Sequence, residues 1–168
     1  MGDFNGDGDD DLLVGANGVN GDNTDDGAAY VFFGPLSDTE ISAGDADAIL
    51  WGDADADDAG YAVAAADLDG DGYDEVIVNA YGRDIESMDS GADLSDAGQV
   101  YIFYGSSDAA SVLGTDTILA DEAAGILSGA EDEGHFGCAL ANAGDVNGDN
   151  RDAVSYTHLT LPTSTHGW

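Results

Sequence analysis

The apolar residues of this chain fall in short runs that show no helical spacing. Leu12-Leu13-Val14 and Val76-Ile77-Val78 are closed by Gly15 and Asn79 and predict buried strands. Gly27-Ala28-Ala29-Tyr30-Val31-Phe32-Phe33-Gly34 is answered by Gly98-Gln99-Val100-Tyr101-Ile102-Phe103-Tyr104-Gly105. Ile49-Leu50-Trp51-Gly52 is answered by Ile126-Leu127-Ser128-Gly129, and Gly60-Tyr61-Ala62-Val63 by Gly137-Cys138-Ala139-Leu140. Turns rich in Gly, Asp and Ser separate these segments. Four short strands per repeat is the pattern of propeller blades. The expected fold is therefore all-β, with blades of four antiparallel strands, one complete and two partial. The second unit is longer around Arg83 to Asp96, which predicts an extended surface loop.

The polar residues repeat in the same phase. Asp3-Phe4-Asn5-Gly6-Asp7-Gly8-Asp9-Asp10-Asp11 recurs as Asp67-Leu68-Asp69-Gly70-Asp71-Gly72-Tyr73-Asp74-Glu75 and as Asp145-Val146-Asn147-Gly148-Asp149-Asn150-Arg151-Asp152-Ala153. The step is 64 residues (3 to 67), then 78 (67 to 145). Each copy places oxygen side chains at positions 1, 3 and 5: Asp3, Asn5, Asp7; Asp67, Asp69, Asp71; Asp145, Asn147, Asp149. Position 6 holds a residue that tolerates positive φ, and in two copies a carboxylate, Asp11 or Glu75, closes the loop at position 9. Carboxylates about 4 Å apart repel by roughly 4 kcal/mol at an effective dielectric near 20. A hard dication that takes six to eight oxygens removes that repulsion. Solvated turns account for one such loop; three in phase before strands point to metal. An EF-hand does not fit, because its position 12 carries a bidentate Glu and leads into a helix. Here position 12 is Val14 or Val78, inside a predicted strand.

On these residues the chain resembles the FG-GAP repeats of the integrin α-subunit β-propeller and its bacterial relatives. The family pattern is a Phe-Gly pair, a short apolar strand, a D-x-N-x-D-G-x-x-D loop, and a second apolar strand ending near Gly-Ala. Phe136-Gly137-Cys138-Ala139-Leu140 ahead of Asp145 matches its first part, and Leu12-Leu13-Val14-Gly15-Ala16 after Asp11 matches its last. The second unit departs from it, with Ala59-Gly60, Asn79-Ala80 and the longer Glu75. The resemblance covers residues 1–153 and implies seven blades in the full propeller, an extracellular or cell-surface location, and calcium within blades. One Ca²⁺ per loop is the implied cofactor, with Asp9, Tyr73 and Arg151 contributing through their backbone carbonyls.

Read this way, the chain is expected to be an internal fragment. Met1 is followed at once by Gly2 and Asp3, with no signal peptide. No Asp or Glu follows Asp152, and Val154-Ser155-Tyr156-Thr157-His158-Leu159-Thr160-Leu161-Pro162-Thr163 resembles a translated sequencing adapter. Residues 154–168 are accordingly set apart as a non-native tail, together with His158, His166 and Trp168.

Charge narrows the partners. Two basic residues, Arg83 and Arg151, stand against 36 acidic ones, for a net charge of −34. Such a field repels phosphate backbones and anionic membrane surfaces, and most of these carboxylates are expected to be solvating. No apolar run reaches membrane-spanning length, so insertion is not expected. Cys138 has no partner and reads as a small core residue. His135 reads as a turn residue, and Tyr30, Phe32, Tyr101 and Phe103 as packing between blades. No catalytic constellation is legible, and the chain is not expected to be an enzyme in itself. The favoured function is calcium-stabilised recognition or adhesion toward an extracellular protein or glycan. The alternatives are an accessory propeller of a secreted hydrolase or polysaccharide lyase, and a structural surface-layer repeat.

Overall fold

A computed structural model describes residues 1–37, 40–86, 93–114 and 117–158. Among these, ten strands build three sheets. The first contains β1 (Leu12–Ala16), β2 (Ala28–Phe32), β3 (Ala48–Trp51) and β7 (Thr117–Ile118), in that order. The second contains β4 (Ala59–Ala66), β5 (Glu75–Ala80), β6 (Gln99–Phe103) and β8 (Gly125–Ser128). It is antiparallel throughout and is the complete blade that the repeat predicts. The third pairs β9 (Ala139–Gly144) with β10 (Ala153–Thr157). Every predicted strand forms, and the propeller is not closed.

Alternation along the strands sorts side chains between the two faces of the second sheet. Val76, Val78, Tyr101 and Phe103 turn one way and share a core with Leu13, Ala29, Val31 and Leu50 of the first sheet. Ile77 and Val100 turn the other way, against Leu140 and Val154 of the third. Tyr101 and Phe103 are thus inter-blade residues, as expected, while Tyr30 and Phe32 are buried on the far side of the first sheet.

The connectors repeat as faithfully as the strands. Gly52 N–H donates to the Gly27 carbonyl and Gly129 N–H to that of Gly98. Ala59 donates to Asp26 and Phe136 to Ala97. His135 sits at such a connector with φ +46°, its ring stacked 4.1 Å from that of Tyr81. Tyr81 stacks in turn on Tyr61 at 4.3 Å.

Three features differ from expectation. The segment before β8 forms two short helices, α1 (Ala109–Leu113) and α2 (Leu119–Glu122), with β7 between them. Ala109, Leu113 and Leu119 are buried and draw the segment onto the core. Through β7 this piece of the second unit pairs in parallel with β3, Leu50 opposite Thr117. Cys138 is half-exposed, with Sγ 3.2 Å from Thr157 Oγ1, and among the described residues no further sheet packs beyond β9. Finally, the acidic residues are not uniformly solvated: Asp11, Asp26, Asp57 and Glu75 are buried.

Asp57 accepts N–H bonds from Asp53 and Ala54, both at 2.9 Å, and pairs with Arg83 at 3.0 Å. Arg83 also reaches Asp53 at 2.7 Å. Desolvation raises the Asp57 carboxyl above its ordinary range despite the guanidinium. Removing one partner of a buried pair leaves the other charge uncompensated. Arg83→Ala is expected to cost about 2 kcal/mol in urea denaturation, less than a fully buried pair because the arginine is partly exposed; a loss under about 0.5 kcal/mol would show that the pair is idle.

Of the long loop expected at 83–96, the described part closes with a bridge between Ile85 and Leu94, while 87–92 lie outside the described residues. In the segment set apart as a tail, Val154 to Thr157 belong to β10, and 159–168, with His166 and Trp168, lie outside the described residues.

Candidate metal centre

Each acidic loop is a hairpin connection whose first residue organises the rest. Asp3 Oδ1 accepts N–H bonds from Gly6 (2.6 Å) and Asp7 (3.1 Å), and Oδ2 accepts one from Gly8 (3.0 Å). Asp67 does the same with Gly70, Asp71 and Gly72 at 2.7, 3.2 and 3.1 Å. Asp145 repeats it with Gly148, Asp149 and Asn150 at 2.7, 3.1 and 2.8 Å. These bonds, led by that from Asn150, hold the exposed Asp145 carboxyl below its ordinary range. Two left-handed residues make so tight a loop feasible. Position 6 is left-handed at Gly8, Gly72 and Asn150, with φ +87°, +91° and +63°, and position 4 at Gly6, Gly70 and Gly148.

Positions 3 and 5 follow suit. Asn5, Asp69 and Asn147 each accept the N–H of Asp7, Asp71 and Asp149 respectively. Asp7, Asp71 and Asp149 accept those of Asp9, Tyr73 and Arg151. In the second loop the carboxylates of Asp67, Asp69 and Asp71 each bring an oxygen within 4.8 Å of the other two. The donors are oxygens alone, in a partly exposed cluster, which is the chemistry a hard dication prefers. In the first and third loops an amide, Asn5 or Asn147, takes position 3 and donates to Asp7 or Asp149 at 3.0 Å. Those loops carry one charge fewer in the cluster.

Position 9 is placed differently from its neighbours. Asp11 is fully buried and accepts N–H bonds from Phe4 and Gly34, both at 2.8 Å. Glu75 accepts from Leu68 at 2.6 Å and Gly105 at 3.4 Å, and stands outside the group formed by Asp67, Asp69 and Asp71. Burial raises both carboxyls, Glu75 to about 7. These residues tie the loop's second residue to the end of the next strand, a role that sequence spacing alone does not reveal. The third loop has Ala153 at that place. At position 7 the Tyr73 ring lies against Gly6 of the first loop, and the Arg151 stem against Gly70 of the second. Their side chains therefore contact the neighbouring loop, and what they have to offer a cation in their own loop is the main-chain carbonyl.

The FG-GAP repeat family matches the chain at residues 1–32 and 59–103. Those two segments are FG-GAP repeats. The matched FG-GAP segments take in the first two loops whole, together with β1, β2, β4, β5 and β6, and identify a β-propeller module of the integrin-α type. The third loop lies beyond them. No curated protein matches the chain. No helix among the described residues is long and apolar enough to cross a membrane.

Proposed function

We propose that this FG-GAP segment is a calcium-binding recognition module, acting outside the cell or at its surface on a protein or glycan partner. The observation that carries the reading is the convergence of Asp67, Asp69 and Asp71 within 4.8 Å in a loop that two others copy. When bound, a calcium ion supplies positive charge that offsets the mutual repulsion of these oxygens. Asp3, Asp67 and Asp145 orient each loop through their three N–H bonds. Positions 3 and 5 present the remaining side-chain oxygens, and Asp9, Tyr73 and Arg151 present carbonyls. Holding the loop fixes the turn between β4 and β5, and the packed sheets carry that order to the connectors at the opposite strand ends. Those connectors, rigid and acidic, are the surface offered to a partner. The net charge of −34 disfavours nucleic acid as that partner. The module's role is binding rather than catalysis; where a longer parent is an enzyme, its chemistry belongs to another domain.

The test is thermal unfolding of the chain with calcium and with a chelator. A site held at a hundred times its Kd adds about 2.7 kcal/mol. Calcium is expected to raise the Tm by several degrees, and Asp69→Ala to reduce that gain. An unchanged Tm would remove the cation from the reading.

A further inference from the structure

We propose that Asp74, a residue of the second loop, positions the first loop for its cation, so that neighbouring loops fill cooperatively. This rests on the cation reading above and concerns a contact that reading does not use. Asp74 stands at position 8, which presents no expected ligand. Its half-buried carboxylate turns to the preceding blade instead, where Oδ2 accepts the N–H of Asp3 at 2.9 Å. Its own N–H donates to the Asp3 carbonyl at 2.9 Å. Asp3 is thus held from both sides by one residue of the next repeat. Asp3 is also the residue whose carboxylate gathers the N–H groups of Gly6, Asp7 and Gly8. Beside this clamp, the Tyr73 ring covers Gly6.

The backbone half of the contact recurs at the next junction. Asp152 N–H, again from position 8, donates to the Asp67 carbonyl at 2.7 Å. There the carboxylate is engaged by Asn142 Nδ2 at 2.7 Å, so the junction between the first and second loops is the stronger example.

The sign of the coupling follows from what each loop must order. A cation in the second loop fixes residues 67–75, and with them the two groups that Asp74 presents to Asp3. The first loop then binds with less ordering left to do, which is positive cooperativity. Repulsion between neighbouring cations opposes this, but exposed charges are screened over about 8 Å at physiological ionic strength. The hydrogen bonds act at contact. Linkage makes the effect reciprocal, and couplings of this kind change affinity by about fivefold or more.

The experiment is a Ca²⁺ titration of the full chain followed by backbone amide resonances, Gly6 and Gly8 for the first loop, Gly70 and Gly72 for the second. Asp69→Ala, an exposed change outside the first loop, is expected to raise the calcium needed to half-fill the first loop by about fivefold. Asp74→Ala should do the same and, by reciprocity, raise the second loop's midpoint as well. Asp74→Asn keeps an acceptor oxygen without the charge, and should restore the first loop. If the Gly6 midpoint is the same in wild type, Asp69→Ala and Asp74→Ala, the loops are independent and the coupling is refuted while the cation reading stands. If neither loop responds to calcium, the cation reading itself fails. Should Asp74→Ala not fold, as lost amide dispersion would show, the Asp69→Ala titration decides alone.

Discussion

Stripped of divalent cations, the chain is expected to lose stability as pH rises from about 4.5 to about 7, the interval over which Glu75 binds a proton when folded but not when unfolded. Burial drives the carboxyl up, and the N–H bonds from Leu68 and Gly105 only partly oppose it. A group whose folded pKa exceeds its unfolded value stabilises the fold fully below the unfolded value. That contribution then disappears as pH climbs through the folded one. The change is up to about 3 kcal/mol, since each tenfold difference in proton affinity is worth about 1.4 kcal/mol. Asp11, Asp57, Asp58 and Asp74 are raised by the same desolvation and add to the trend. Urea denaturation in chelator at pH 5, 6 and 7.5 measures the slope. Glu75→Gln should flatten it, and so should calcium, which favours the ionised form. A slope that Glu75→Gln leaves untouched would place the buried proton elsewhere.

The other large effect is expected from the core between the first two sheets. Phe103 is 1% exposed, opposite Val76 in the sheet and within the cluster that joins Leu13, Val31 and Leu50 to the second blade. Phe103→Ala removes a large ring from a site closed on both sides, and such changes cost about 3–5 kcal/mol. Val14→Ala is the control, because Val14 is 39% exposed on the far side of β1, and should cost less than about 1 kcal/mol. Chemical denaturation at saturating calcium gives both values. Were the two equal, the sheets would not share one core.

Much of this was legible because propeller geometry writes itself twice, once in strands and once in turns. Leu12 to Val14 and Val76 to Val78 are short, apolar and partly β-branched, and both became strands beside the loops that announce them. The left-handed demand at position 6 was readable from Gly8, Gly72 and Asn150, and the structure extends it to position 4. What escaped falls into two kinds. The segment carrying α1, β7 and α2 is answered among the described residues of the first unit by a three-residue 3-10 helix, Ala43–Asp45, and its own helices of five and four residues are too short to show a period. The buried carboxylates were hidden by composition, since among so many acids nothing marks the few that are enclosed. Asp57 does have a signature in retrospect, because one of the two basic residues, Arg83, is spent on it. Asp74 has none: its importance comes from a neighbouring repeat 71 residues away.

The parallel pairing of β3 with β7 bears on how the chain is made. Leu50 meets Thr117 across β4, β5 and β6, so the outer border of the first sheet cannot be finished until synthesis has passed three strands of the second blade. A nascent chain emerging from the ribosome holds β1 to β3 with an open hydrogen-bonding margin throughout that interval, when a stray strand is free to add there. The acidic residues Asp45, Asp47 and Asp53 beside β3 are well placed to discourage such an intruder until its own partner arrives.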